Sequence, residues 1–221
     1  MPIRTVIERG PKEKRVAAVA IDWPGWSRGA RTADEALDLL AVYRERYRPI
    51  ARRAGLGGEF EAAGELDVVE DHFGPGSTDF WGISFAPSSF ERALMPADEL
   101  ERRLNLLQAA WRYFDEVAAR VSPEMRKGPR GGGRDRDVII RHVLANEGED
   151  FSRRIGVLTP REVILTSDGL HAHRAAYLAA LRERNEHEWK VGRNWTLPFL
   201  LRHTAYHVLD HAWEMEDKDL T

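Results

Sequence analysis

Cysteine is missing from this chain of 221 residues, which excludes disulfides, thiolate metal sites and a cysteine nucleophile. Lysine is scarce, at five residues against 28 arginines. A strong charge of either sign is also lacking. The 33 basic and 36 acidic residues leave a formal net charge of −3, which argues against a general affinity for nucleic acid. No apolar run approaches the roughly 18 residues of a membrane-spanning helix, and the first residues lack the apolar stretch of a signal peptide. The composition therefore points to a cytoplasmic protein with neither membrane nor nucleic-acid partners. The length suits one large domain or two small ones, with ample core.

The chain falls into two parts of different character. Residues 14–22, "KRVAAVAID", form a short apolar run closed by Trp23-Pro24-Gly25, a strand ending in a turn. Thr32 with Glu35 makes a capping box, which predicts a helix to about Arg48 that Pro49 ends or bends. Leu37, Leu40, Ala41 and Tyr47 mark its buried side. Strand-like segments follow at about 65–71 and 80–86. From Pro96 onward the periodicity is helical: Leu100, Leu104, Leu107, Trp111, Phe114 and Val117 define a long amphipathic helix. A glycine-rich basic loop at 122–137 leads to a second helix over about Asp135 to Ile155. A third spans about Ser167 to Glu188, capped by Ser167 or Asp168, and a fourth opens at Thr196-Leu197-Pro198. Four long helices imply a four-helix bundle. The fold class expected is α+β, a small N-terminal α+β unit at 1–90 followed by a four-helix bundle at 91–221.

Chemistry concentrates in the last helix. His203, His207 and His211 recur every four residues in "RHTAYHVLDHAWEMED", one turn apart on one face. Eight residues span about 12 Å of helix and about 80° of rotation, so no single ion reaches both His203 and His211. His207 belongs to any pair. On the helical wheel His211 points with His207 toward the apolar side of Leu197, Leu200, Thr204, Val208 and Met215. His203 turns toward Asp210 and Asp217 on the expected solvated side. Such a pair is also compatible with ordinary helix histidines, hydrogen-bonded in a core or wet at its edge, so a third ligand matters.

His142, mid-way along the second bundle helix, is the strongest third-ligand candidate, because bundles build metal sites from facing helices. Three imidazoles leave positions open for water or substrate, the pattern of catalytic sites. Glu147 falls on the wheel among Ile140, Val143 and Phe151. A desolvated carboxylate there either moves a proton and orients a ligand imidazole, or forms a buried structural ion pair. His171, His173 and His187 on the third helix, and His72 in a turn region, are assigned to the surface or to incidental hydrogen bonds.

"RHVLANEGEDFSRRIG" (141–156), followed some fifty residues on by "RHTAYHVLDHAWEMEDKDL" (202–220), resembles the DinB-like superfamily: a helix-borne His, a Glu five residues later, then a late His-x-x-x-His. The likeness covers roughly 96–221. It implies a DinB-like four-helix bundle with a divalent metal, zinc or nickel, held by His142, His207 and His211. It also implies a small-molecule substrate, with transfer or use of a low-molecular-weight thiol. The chain departs from the commonest ending, in which Arg-Gly-Gln follows the last His; here Ala212-Trp213-Glu214 stands instead. Residues 16–47, with the Pro-Gly turn, "SRGART" and a helix opened by T-x-x-E-A, are similar to the HicB-like fold of antitoxins. That likeness implies a HicB-like unit, at about 14–86, that binds a protein partner or packs on its own bundle.

Three functions follow as expectations. The first is a metal-dependent, thiol-transferase-like enzyme, in which the external thiol supplies the sulfur this chain lacks. The second is a non-catalytic binding module with HicB-like partner recognition and a vestigial ion. The third is metal-dependent hydrolysis with Glu147 as proton shuttle. Pairing of bundles into a homodimer is compatible with all three.

Overall fold

The computed structural model describes residues 1–128, 132–188, 190–192 and 194–221; the glycine-rich loop expected at 122–137 thus falls partly outside the described residues. The chain is α+β. Its sheet comprises β1 (Ile3–Arg9), β2 (Val16–Ala20), β3 (Ser27–Ala30) and β4 (Leu66–Phe73) in the order β3-β2-β1-β4. β1–β2 and β2–β3 are antiparallel, with Val6 opposite Val19 and Val16 opposite Ala30. β4 runs parallel to β1, which requires a crossover. That crossover carries α1 (Ala33–Val42), α2 (Arg44–Arg53) and α3 (Gly57–Ala62). Every residue of β2 is buried, as α1 packs on β2 and β3 while α4 (Gly76–Trp81) packs on β1 and β2. Half of the expected capping box forms: Thr32 accepts from the Glu35 N–H at 3.2 Å, while the Glu35 carboxylate accepts from the N–H of Arg31, one residue before the cap. Ala36, rather than the exposed Ala41, joins Leu40 and Tyr47 in the core.

Two elements differ from expectation for reasons carried by one residue. β1 was hidden by Glu8, which is fully buried and breaks the apolar alternation. The expected strand at 80–86 is α4 followed by an irregular segment. The Glu8 carboxylate accepts from the Phe85 and Ala86 N–H groups at 2.9 and 3.0 Å, and from the Ser84 and Thr78 hydroxyls at 2.6 and 2.5 Å. Backbone donors that a strand would spend on a neighbour are spent on a carboxylate instead.

The C-terminal part contains α5 (Ala97–Arg120), α6 (Arg136–Asn146), a short α7 (Arg161–Ile164), α8 (Ser167–Asn185), the two-residue strands β5 (Lys190–Val191) and β6 (Trp195–Thr196), and α9 (Leu197–Lys218). α6 continues without a break into a π-turn at Glu147–Phe151 and a 3₁₀ turn to Ile155. Thr166, one residue before the caps expected, closes the N-terminus of α8. Thr196 caps α9 by accepting from the Phe199 N–H, with Pro198 in its first turn. No helix among the described residues is long and apolar enough to cross a membrane.

α5 packs along α9, and α2 packs on α5. One apolar cluster runs from Ile3, Trp23, Trp26 and Tyr47 to Leu104, Trp111, Leu200 and Trp213, so the two parts share a core. The Pro24-Gly25 turn shows how close they come: Gly25 has φ +95° and a Cβ there would lie 2.6 Å from Leu209 of α9. α9 consequently has no broad solvated face. Arg28 of β3 meets Asp210 at 2.7 Å, and Arg46 of α2 meets Glu216 and Asp217 at 3.0 and 2.8 Å. Arg202 is buried and bonds Glu91 at 2.6 Å.

Candidate metal centre

α6 and α9 cross so that three imidazoles converge. His142 and His207 approach with their Nε2 atoms 3.2 Å apart, and one nitrogen from each of His142, His207 and His211 lies within 4.8 Å of the others. Ring centroids are 4.7–5.1 Å apart. Two ligands of one ion at metal–nitrogen distances of about 2.0–2.1 Å stand roughly 3.0–3.4 Å from each other. The first pair already meets that spacing, and the third nitrogen stands within 4.8 Å of both. His211 is buried, while His142 and His207 are half-buried.

The electrostatics keep two of these rings in the form a metal needs. Burial, aided by the neighbouring His211 and Arg134, lowers His142 to about 4. Burial first, then the surrounding histidines, holds His207 well below its ordinary value. Both rings are neutral near pH 7 and offer a lone pair. The His207 Nδ1 is buried without a hydrogen-bond partner among the described residues.

His211 has the best-defined surroundings. Its Nδ1–H donates to Glu214 Oε2 at 2.6 Å, the orientation in which Nε2 would be the atom offered to an ion. Glu214 in turn accepts from Arg134 Nη2 at 3.0 Å and Lys218 Nζ at 2.6 Å. Burial alone would raise this carboxyl, but bonds from His211 and Lys218 outweigh it and hold it at about 2. Beside His142, Asn146 Nδ2 donates to the His142 carbonyl at 2.9 Å.

The three histidines open into a cavity of about 970 Å³. α6 and α9 supply its floor, and Phe151 and Trp195 part of its wall. The N-terminal part closes another side with Arg28, Trp81 and Phe85. Here β3 crosses the chain so tightly that a Cβ at Gly29 would collide with the Gly82 carbonyl. A separate cavity of about 530 Å³ beside Ile3 and Arg102 holds no such donor set.

No protein family, curated protein or solved structure matches this chain. The site therefore stands on its geometry.

Of the residues singled out in the sequence, His142, His207 and His211 come together and Glu147 does not join them. Glu147 is buried and pairs with Arg174, Nε to Oε1 at 3.0 Å, and Arg174 also bonds Asp115 at 2.7 Å. Burial raises the Glu147 carboxyl, with Arg174 opposing. Five residues of helix place it about 140° around from His142, away from the cavity lining. The structural ion pair is what forms.

His203 does not face solvent as its wheel position indicated. It is 7% exposed, ringed by Phe85, Phe151, Trp195 and Phe199 at centroid distances of 5.0–5.7 Å. The wheel failed here because a second layer of chain covers that side of α9. Burial lowers His203 to about 3. His173 is also buried, its Nδ1 2.7 Å from Thr159 Oγ1. His171 and His187 are exposed, and His72 lies on β4 beside Glu70 at 3.1 Å. Sequence reasoning missed Glu214 and Asn146, although spacings of three from His211 and four from His142 carried the signal. Nothing local pointed to Arg134, which arrives from a loop.

Proposed function

We propose that this protein is a divalent-metal-dependent enzyme acting on a small molecule in the cavity above His142, His207 and His211. The observation that carries the reading is the convergence of three imidazoles, one oriented by a carboxylate, on the floor of a ligand-sized cavity. When bound, a divalent ion would supply Lewis acidity, because three neutral ligands leave its charge uncompensated and so lower the pKa of a coordinated thiol or water. The chain's own residues do the rest. Glu214 fixes the His211 tautomer, and Phe85, Phe151 and Trp195 line the space with apolar surface. Zinc or nickel are the ions proposed. The reaction class proposed is transfer or use of a low-molecular-weight thiol, supported by the DinB-like motif pair and by the lack of any cysteine in the chain.

Glu147 has no role in this scheme. A binding-module function would rest on the N-terminal part as a separate recognition unit. That part instead contributes cavity walls and shares the core, which supports one working unit. A metal-free role has one observation in its favour, since a neutral His142–His207 pair at 3.2 Å also forms a single N–H···N bond.

Elemental analysis of untagged protein separates these readings. Near-stoichiometric metal, lost in His142→Ala and in His207→Ala, is the expected result. No metal in the wild type, even after reconstitution with zinc and with nickel, would refute the enzyme reading in favour of the binding module.

A further inference from the structure

Each carboxylate lining the cavity is already matched by a cation. Asp210 meets Arg28 at 2.7 Å, Asp150 meets Arg154 at 2.8 Å, and Glu214 is shared by Arg134 and Lys218 at 3.0 and 2.6 Å. The three histidines add no negative charge. A dication on them would give the cavity a net positive charge that the protein leaves unbalanced.

The three cavity arginines differ in what they have left to offer. Arg28 lies between Tyr43 and Trp213, 3.7 and 4.5 Å from their ring centroids, and its side chain is only 12% exposed. Arg134 is 36% exposed but commits Nη2 to Glu214 and sits 3.4 Å from His211 Nδ1, so it belongs to the support of the histidine site. Arg154 lies 3.9 Å over Trp195, meets Asp150 through Nη2, and keeps 32% of its side chain exposed. Its Nε is buried without a hydrogen-bond partner among the described residues, as are Nε and Nη2 of Arg28, so what sets Arg154 apart is its stack on Trp195 together with its exposure. Stacking on the indole fixes the guanidinium plane in advance, so little ordering is lost when it binds a planar anion.

We propose that the cavity takes a small molecule carrying a carboxylate or comparable anionic group, and that Arg154 recognises that group. The proposal rests on the metal reading above and adds the charge class of the ligand. The anion would accept a hydrogen bond from the Arg154 guanidinium, whose Nη2 already bonds Asp150, while the other end of the molecule reaches the histidine floor.

The test uses the full chain loaded with cobalt(II) and three thiols that share a metal-binding handle but differ in charge: mercaptopropionate, mercaptoethanol and cysteamine. Binding is followed by cobalt–thiolate absorption, and cobalt content by elemental analysis. The expected order is anion over neutral over cation, with roughly a tenfold gap between the first two, the scale of a charge-assisted hydrogen bond. Arg154→Met, which keeps the stack on Trp195, should close that gap without changing cobalt content. Arg154→Lys should retain part of it, and Asp150→Asn should widen it, so the test survives a poorly folding methionine variant. Equal binding of the three thiols, or a gap that persists in Arg154→Met, would overturn this proposal alone. Failure of the wild type to take up cobalt, or of cobalt to bind any thiol, would overturn the metal reading and this proposal with it.

Discussion

Replacing Glu214 by glutamine keeps the side chain's shape and removes its charge. The amide oxygen can still accept from His211 Nδ1–H, which now bonds the carboxylate at 2.6 Å, so the ring keeps its place. What is lost is the anion behind the ligand. Charge-assisted hydrogen bonds are about twice as strong as neutral ones. Arg134 and Lys218, at 3.0 and 2.6 Å from the present carboxylate, would be left as unmatched cations beside an incoming dication. Removing such a partner of a ligand histidine typically costs about 10–100-fold in metal affinity, or about 1.4–2.8 kcal/mol. The two stranded cations favour the upper end. Competition with a chromophoric chelator for zinc, near neutral pH, measures the dissociation constant directly. Lys218→Met is the control, because it removes one partner of Glu214 while leaving the His211 contact. It should change affinity by no more than about fivefold. Wild-type zinc affinity in Glu214→Gln would refute the idea that this carboxylate tunes the site.

Acid should destabilise the metal-free protein through its buried neutral histidines. His142 is lowered to about 4 and His203 to about 3. Their unfolded values lie near 6.5. The unfolded chain therefore takes up protons first, and the stability these rings contribute is full above about pH 6.5 and is lost as pH falls toward their folded values. For the fully enclosed His203 the loss amounts to a few kcal/mol. Urea unfolding across this range should show a shallower pH dependence in His203→Phe, and an unchanged slope would contradict the assignment. Arg202→Met strands the buried Glu91, now bonded at 2.6 Å, and should cost about 3–5 kcal/mol. Adding Glu91→Met should recover part of that loss in the same denaturation assay; a double variant no more stable than the single would count against a strained, unpaired carboxylate.

Periodicity carried much of the helical part. Leu100, Leu104, Leu107, Trp111, Phe114 and Val117 recur at helical spacing and all are buried in α5. Thr196 and Pro198 marked the start of α9 at the residue. The strands were less legible. Glu8 and Thr5 are polar yet fully buried in β1, so hydrophobic alternation could not reveal it. The 80–86 segment has strand-like composition, but its backbone donors answer to Glu8 from a residue more than seventy positions away. Local pattern holds no record of such a partner.

The sequence by itself singled out the three histidines that converge. His207 and His211 are joined by the pitch of one helix, a property of spacing that needs no outside help, and His142, mid-way along a second helix, was the strongest candidate to join them. Only the tertiary structure decided what surrounds them. It buried His203 in an aromatic ring, turned Glu147 to Arg174, and brought Arg134, Trp81 and Phe85 to the cavity from distant segments. The reason is that α9 is covered on nearly every side, by Gly25, Arg28 and Tyr43 of the N-terminal part as well as by the other helices. A wheel drawn from one helix assumes one core and one solvent, and this helix has a core on both sides.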